Sequence, residues 1–297
     1  MPLGKNSATR QAPWPDHAGR PFTDAGLLMS ITKSPRAVNY PIVVLSSVLY
    51  LLAAPMGAKA FPSHCPEHFA GGKAPDLTDR HLARKANEVC FKAFAVLHSG
   101  VTRTPIFSAE HLTAISVLAA RSTERNDDFH AESRLPEDHR AELADYRGSG
   151  FDRGHMTPNS DVADQDDEEE TFSLANIVPQ NSVSNRGLWT DIERATRHLA
   201  IQDGELWVVT GPIFGSGETN WLHGRVRVPT ALFKAVYDPK VGSAGAYIAD
   251  NGPGHGWRVV SMMELQQLTG IDVFPVLTVA GKAMEMRLPA PERRQER

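Results

Sequence analysis

The sequence predicts an α+β fold in which helices flank a mainly antiparallel central sheet. Strand-like runs bounded by Gly and Pro recur after residue 100, and the chain shows no regular strand-helix-strand alternation. The strand-like runs are IFSAEHL (106–112), LWVVTGPIF (206–214), ALFKAVYD (231–238), AGAYIAD (244–250) and WRVVSM (257–262). Helical periodicity covers residues 77–97, 185–200 and 261–269.

An apolar run near the start of the sequence, PIVVLSSVLYLLAAPMGAKA (41–60), is typical of a cleaved export signal. Lys33 and Arg36 supply its positive flank, and the AKA triplet (58–60) resembles a cleavage site. A membrane anchor is the alternative, but a span needs about 20 apolar residues and Pro55 interrupts this run. We expect a periplasmic or secreted protein without stable membrane association after cleavage.

The remainder of the chain is expected to form one domain. It contains no internal repeat, low-complexity linker or abrupt change of composition after residue 60. A hydrophobic share of 41% in 297 residues is sufficient for a sizeable core. The predicted partition is therefore an N-terminal extension with a signal peptide (1–60) and a single domain (61–297).

The formal charge of -4 argues against nucleic-acid binding through a bulk positive surface. Residues 1–60 carry six of the 31 cationic side chains and two of the 35 acidic ones, so the rest is more acidic still. Any polyanion must therefore bind to a local cluster of cations. The acidic run DQDDEEE (164–170) is more typical of a solvated, self-repelling loop than of a cation site.

The sequence contains two cysteines, Cys65 and Cys90, and export would place them in an oxidising compartment. We expect a disulfide that ties the N-terminal segment to the helix predicted at 77–97. Two buried free thiols are the alternative if the chain is not exported.

The helix predicted at 185–200 presents two stripes. Asn185, Trp189, Glu193 and Arg197 fall at successive i+4 steps, while Leu188, Ile192, Ala195 and Leu199 form an apolar face that would pack on the core. The first stripe is then free to project an amide, a carboxylate and a guanidinium. Taken alone, its two charged residues are equally consistent with a surface ion pair.

A histidine with potential supports occurs in FDRGHMTPNSD (151–161). Asp152 can fix the turn, Arg153 can contact phosphate, and Gly154 permits close backbone approach to His155. Most histidines are structural or exposed, so this motif alone is ambiguous.

Taken together, the motifs resemble those of the DNA/RNA non-specific endonucleases, the endonuclease G group. The resemblance extends from about Arg103 to about Phe274. It rests on the order and spacing of DRGHMTP (152–158), NIVPQ (176–180), the stripe that begins at Asn185, and VTGPIF (209–214). It implies the ββα-metal nuclease fold, in which a strand pair carries the histidine and a helix carries the metal ligand.

The resemblance also implies residue roles. His155 would be the general base that activates water, Asn185 would be the side-chain ligand of a divalent cation, and Glu193 would hold the water shell of that cation. Mg²⁺ or Mn²⁺ suits an uncharged amide oxygen together with waters and substrate phosphate.

Three arginines would complete the site. Arg125 in RSTERNDD (121–128) corresponds to an arginine that steadies the transition state, although the matching segment there is short. Arg153 and Arg197 would support phosphate binding or the geometry of the site.

These groups meet the needs of phosphodiester hydrolysis, which are an activated water, in-line geometry and cations near the developing charge. A site that contacts sugar-phosphate has weak sequence preference, so both DNA and RNA are expected substrates. Two alternatives stay open: an antibacterial nuclease toxin with an immunity partner, and a non-catalytic nucleic-acid-binding module. The second is disfavoured because the catalytic residue types are all present while bulk positive charge is missing.

Overall fold

A seven-stranded antiparallel sheet forms the centre of the fold in a computed structural model, which describes residues 63–292 except 216, 218 and 219. The α+β class and each of the strand-like runs are confirmed. From one edge to the other, and numbered by position in the chain, the strands are β12 (Trp257–Val260), β11 (Ser243–Asp250), β10 (Ala231–Asp238), β7 (Glu205–Ile213), β4 (Thr104–Thr113), β3 (Phe94–Ser99) and β2 (Ala86–Cys90).

The helix predicted at 77–97 is wrong, because this segment contains β2 and the start of β3. Every residue of β3 is buried, and its backbone pairs with β4 from Phe94 opposite Glu110 to Ser99 opposite Thr104. A strand that is covered on both faces carries a continuous apolar run, which periodicity cannot distinguish from a buried helix. Cross-strand pairing decides the structure here.

Shorter elements surround this sheet. Outside it lie the strand pairs β1 (Asp76–Leu77) with β13 (Ile271–Asp272), β5 (Asp152–His155) with β6 (Ile177–Gln180), and β8 (Trp221–Leu222) with β9 (Val226–Arg227). The helices are α1 (Ala114–Ala119), α2 (Leu143–Tyr146), α3 (Gln165–Thr171), α4 (Ser182–Ser184), α5 (Thr190–Asp203), α6 (Met262–Thr269) and α7 (Val279–Ala283), and a π-helical turn (Asn185–Trp189) joins α4 to α5. The helix predicted at 261–269 is confirmed as α6.

The acidic run at 164–170 forms α3 and is not a solvated loop. The Asp164 side chain caps the helix by accepting a hydrogen bond from the backbone N–H of Asp166 at 3.0 Å. Asp167 is buried and pairs with Lys92 Nζ at 2.9 Å, and Glu168 is buried as well. Carboxylates are stabilised in the first turn of a helix by the unpaired N–H groups there, which offsets their mutual repulsion.

Both faces of the sheet are covered by apolar side chains. Phe107, Val209 and Phe233 point to the face that α6 covers through Leu265. The opposite face receives the α5 side, with a cluster formed by Leu112, Trp189, Ile192, Val208 and Leu232. The long helix that carries the candidate site is therefore fixed to the sheet by core packing.

A disulfide joins Cys65 to Cys90, with the two Cα atoms 5.8 Å apart. It ties the first described residues to the edge strand β2, where the sequence had suggested a helix. The described residues belong to one compact unit, and the predicted signal peptide lies outside them. Within the described part of the chain, no helix combines the length and apolar character that crossing a bilayer requires.

Opening this disulfide is expected to lower the free energy of unfolding by about 3 kcal/mol, because the cross-link restricts the unfolded chain over a separation of 25 residues. Urea denaturation with and without reductant measures the difference. The double variant Cys65→Ser, Cys90→Ser is the control, because reductant should not change its stability. Equal stability of the oxidised and reduced wild type would contradict the prediction.

Candidate active site

The candidate site lies where the β5–β6 hairpin meets the start of α5. The two strands are antiparallel, with Asp152 opposite Gln180 and His155 opposite Ile177. The chain then passes through α4 and the π-helical turn into α5. This order of two strands and a helix brings His155 near the residues that begin the helix.

Gly154 is required by the packing of this hairpin. A Cβ atom at Gly154 would lie 2.7 Å from the Cβ of Gln180, a distance that side chains essentially never reach. Gln180 itself is fully buried, so it has no open space into which to move. The glycine next to the histidine therefore permits close approach between the strands and is not a flexible hinge.

Five of the six side chains proposed for chemistry line one cavity of about 630 Å³. They are Arg125, Arg153, His155, Asn185 and Glu193. Side chains that complete the wall include Asp127, Phe129, Tyr146, Asp152, Asn159 and Arg186. The cavity contains cations, carboxylates and an imidazole in one place, as the proposed chemistry needs.

The imidazole of His155 is buried between aromatic rings. Its centroid lies 4.8 Å from that of Phe172, which meets it edge-on, and 5.4 Å from that of Phe129. Burial lowers the pKa of His155 to about 3, and the positive charges of Arg125 and Arg153 add to this effect. His155 is therefore an uncharged base at neutral pH, and no described group is hydrogen-bonded to its buried Nε2.

The two arginines beside His155 rest on the same aromatic rings. The Arg153 guanidinium lies 4.2 Å from the centroid of Phe129, and that of Arg125 lies 5.6 Å from the centroid of Phe172. Arg125 Nε also donates to Asp127 at 2.6 Å. Stacking orients a guanidinium while most of its N–H donors stay available, which suits both arginines to an anionic ligand.

Asn185 is oriented by an aspartate on the histidine strand. Its Nδ2 donates to Asp152 Oδ2 at 3.1 Å, and Arg186 binds both oxygens of the same carboxylate at 2.8 Å. Burial by itself would raise the pKa of Asp152, but the hydrogen bonds from Arg186 and Asn185 outweigh it and the pKa is lowered. Because the amide nitrogen faces Asp152, the amide oxygen is left to accept or to ligate.

Glu193 is the carboxylate of this cavity that is best placed to contact a ligand. Burial raises its pKa to about 7, against the opposing effect of the positive charges of Arg197 and Lys234. No described residue donates a hydrogen bond to its oxygens. A half-buried carboxylate without partners is costly unless it accepts hydrogen bonds from a ligand or its water shell.

Two of the four residues of the predicted stripe do not line this cavity. Trp189 is 1% exposed and packs in the core, with Lys234 Nζ 5.8 Å from its ring centroid. Arg197 donates to the buried Asp161 at 2.7 Å and does not line the cavity. The π-helical turn adds a residue within the helix, which interrupts the i+4 spacing between Asn185 and Glu193.

Arg186, Phe129 and Phe172 are functional candidates that the sequence did not reveal. Arg186 adjoins Asn185 and shares its acceptor, so its proximity in sequence was the available signal. The two phenylalanines lie far from the histidine motif in the chain, and a single sequence carries no sign that their rings would enclose it.

The donor set fits a hydrated divalent cation of the Mg²⁺ type. Asn185 offers an amide oxygen and Glu193 a carboxylate without partners, and both line the same polar cavity. Hard oxygen donors in small number are the usual ligands of Mg²⁺, which retains several of its waters.

The two antiparallel strands that carry His155, followed by the helix that begins beside Asn185, have the arrangement of the ββα-metal fold. The crystal structure of the EndoG/EndoGI complex has a TM-score of 0.56 with this chain, at 24% identity, and the match covers 62% of this chain and 84% of the EndoG chain, which supports the fold. The model of the family described as DNA/RNA non-specific endonuclease matches residues 77–280. The chain belongs to that family.

Three curated relatives carry the name nuclease. The mitochondrial nuclease EXOG of Danio rerio is 34% identical over 196 residues, which cover 59% of this chain and 57% of the relative. Nuclease C1 of Cunninghamella echinulata is 32% identical, over 64% of this chain and 83% of its own length. A nuclease of Nostoc sp. is 36% identical, over 51% of this chain and 61% of its own length.

His155 is expected to stay uncharged from pH 8 down to at least about pH 5, because its pKa is lowered from 6.5 to about 3. Ring ¹⁵N chemical shifts measured across this range report the charge state directly. Replacing Arg125→Gln should raise the pKa, whereas the exposed Arg258→Gln should not change it. A wild-type His155 that titrates near pH 6.5 would contradict the buried site.

Proposed function

We propose that this protein is a metal-dependent endonuclease that hydrolyses phosphodiester bonds of DNA and RNA with little sequence preference. The single observation that carries the proposal is the uncharged His155 in one cavity with the oxygen donors Asn185 and Glu193 and with two stacked arginines. Family membership and the nuclease names of the relatives support the same activity.

His155 acts as the general base in this proposal. An imidazole that is neutral at pH 7 can accept the proton of an attacking water, and an imidazolium cannot. The rings of Phe129 and Phe172 limit access of bulk water to His155 and so keep it in the neutral form. The two phenylalanine rings also fix the direction in which the imidazole nitrogens point, and proton abstraction requires a defined direction.

Asn185 and Glu193 would hold a divalent cation, with Asn185 as the direct ligand and Glu193 accepting hydrogen bonds from its waters. The cation would supply positive charge at the scissile phosphate and its leaving oxygen. Asp152 keeps the Asn185 amide in place by accepting from its Nδ2. Mg²⁺ or Mn²⁺ is the ion that these donors suit.

Arg125 and Arg153 would bind the anionic phosphate and the charge that develops on it during attack. Both are exposed and stacked on rings, so they are oriented before the substrate arrives. Contacts of this kind are made to phosphate, which DNA and RNA share, and they do not distinguish bases. The proposal includes export, as the sequence at 41–60 suggests, to a periplasmic or extracellular location.

The decisive experiment compares His155→Ala with Asn185→Ala. Both should lower the rate of plasmid cleavage, the first by about 10²- to 10⁴-fold because the general base is lost. Calorimetric titration with Mn²⁺ should give unchanged affinity for His155→Ala and weaker affinity for Asn185→Ala, because only the second removes a ligand. EDTA should abolish cleavage by the wild type.

Asn220→Ala is the matched control for Asn185→Ala, because Asn220 is exposed and does not line the active-site cavity. Loss of Mn²⁺ affinity in His155→Ala, with normal affinity in Asn185→Ala, would mean that the two roles are reversed. Binding of DNA without cleavage by the wild type at any Mg²⁺ concentration would favour a non-catalytic module.

Glu193 generates a separate prediction about pH. Its pKa is raised to about 7 by burial, so the metal-free carboxyl is largely protonated below that pH and must lose its proton when a cation binds. The affinity for Mn²⁺ should therefore rise with pH through about 7, and Glu193→Gln should bind more weakly with little pH dependence. Titration calorimetry from pH 6 to 8 measures this, and the exposed Glu285→Gln is the control. If Glu193→Gln shows the same pH dependence of Mn²⁺ affinity, the titrating group is a residue other than Glu193.

A further inference from the structure

We propose that a second cavity beside the active site binds the sugar-phosphate backbone of the nucleic-acid strand that flanks the scissile phosphate. This cavity, the basic groove, is lined by Arg121, Arg125, Arg194 and His198, and residues 289–292 form part of its wall. The inference rests on the proposed function and names a site for substrate that lies outside the catalytic groups.

The basic groove is continuous with the active-site cavity. Arg125 and Asn159 line both, and Arg125 Nη1 lies 3.4 Å from Asn159 Oδ1 at the boundary. The groove has a volume of about 1330 Å³, against 630 Å³ for the active-site cavity. A strand whose phosphate is held beside His155 therefore has an open path past Arg125 into the larger space.

The groove contains basic side chains whose donors are wholly or partly free. Arg121 is exposed, and among the described residues none forms an ion pair with it. Arg194 and His198 lie one turn apart on α5, so their side chains follow the groove at a spacing of about 6 Å. Donors repeated along one line suit a ligand with phosphates repeated along one line.

Arg194 keeps free donors although it has partners. Its Nη1 makes both contacts that anchor it, to Asp191 Oδ1 at 3.0 Å and to the carbonyl oxygen of Glu292 at 3.2 Å. A guanidinium has five N–H donors, so the remaining ones can bind phosphate. The anchoring contacts fix the guanidinium at the edge of the groove before a ligand arrives.

The acidic side chains of the groove oppose this binding only weakly. Glu168 is buried and accepts hydrogen bonds from Asn126 and Asn159, and the buried Asp191 is paired with Arg194. Glu292 is exposed and is the exception. The accessible charge along the groove is therefore positive, although the whole chain is acidic.

The wall of the groove is a fixed part of the fold. Leu288 is buried, the backbone N–H of Met286 donates to Ala244 at 3.0 Å, and Tyr247 Oη donates to the carbonyl oxygen of Pro289 at 2.7 Å. These contacts hold residues 286–292 against β11, so the groove exists in the free protein. A preformed wall lowers the ordering cost of binding.

The binding test uses the full-length protein with His155→Ala in EDTA, so that no substrate is consumed. Anisotropy of a fluorescein-labelled 24-nucleotide DNA strand, measured from 50 to 300 mM NaCl, gives the salt dependence of the affinity. Arg121→Gln with Arg194→Gln should weaken binding and reduce the slope of log K against log [NaCl] by about 1.4, which corresponds to two lost phosphate contacts.

Arg84→Gln with Arg80→Gln is the matched control, because both arginines are exposed and line neither cavity. It removes the same charge and should leave the slope at the wild-type value. A slope that changes equally in the two double variants reflects net charge alone and would contradict DNA binding in the groove. A slope that changes in neither would overturn it as well.

A second measurement separates this inference from the proposed function. With His155 restored and Mg²⁺ present, kcat/KM is compared for long single-stranded DNA and for bis(4-nitrophenyl) phosphate, which is too short to reach the groove. The ratio of the two should fall by at least about tenfold in Arg121→Gln, Arg194→Gln and stay constant in the control. If the wild type cleaves neither substrate, the proposed function fails, and the slopes measured in EDTA still decide whether the groove binds DNA.

Discussion

The geometry of the site depends on the hydrogen bonds that the Asp152 carboxylate accepts. Asp152 lies on the strand that carries His155, and it accepts hydrogen bonds from Asn185 and Arg186 on the π-helical turn. One carboxylate therefore joins the element of the base to the element of the metal ligand. Because strand β5 is itself held by pairing with β6, this side-chain link is attached to a fixed backbone and limits the distance between the two functional groups.

A second constraint is the distribution of charge around α5. Glu110 and Asp161 are buried near Glu193, where Arg197 pairs with Asp161 and the fully buried Lys234 adds a second positive charge. Burial raises the pKa of Glu110 well above its ordinary value, and the negative charge of Asp161 adds to this effect. Arg197 thus serves to neutralise the interior, while the arginines that rest on Phe129 and Phe172 face the cavity. The chain can remain acidic overall and still present cations where an anion would enter.

The sequence predicted the parts of this structure that depend on local pattern. Strand-like runs bounded by Gly and Pro predicted β4, β7, β10, β11 and β12, and the DRGH motif singled out His155. The helix predicted at 77–97 failed because β2 and β3 are fixed by pairing between strands, which the periodicity of a single segment does not report. Two residues of the stripe from Asn185 to Arg197 make other contacts, because Trp189 packs in the core and Arg197 pairs with the buried Asp161, and periodicity does not report such tertiary partners. Partners distant in the chain, such as Phe172 beside His155, follow only from the tertiary fold.

The position of the C-terminal segment has a practical consequence for attaching the protein to a support. Residues 286–292 cross β11 and reach Arg194, so a bulky label near residue 292 would stand at the edge of the basic groove. The segment at residue 65 is fastened by its disulfide to β2, at the opposite edge of the sheet from β11 and β12. Attachment near Cys65 leaves the route to the cavity open. The disulfide to Cys90 then bears any pulling force.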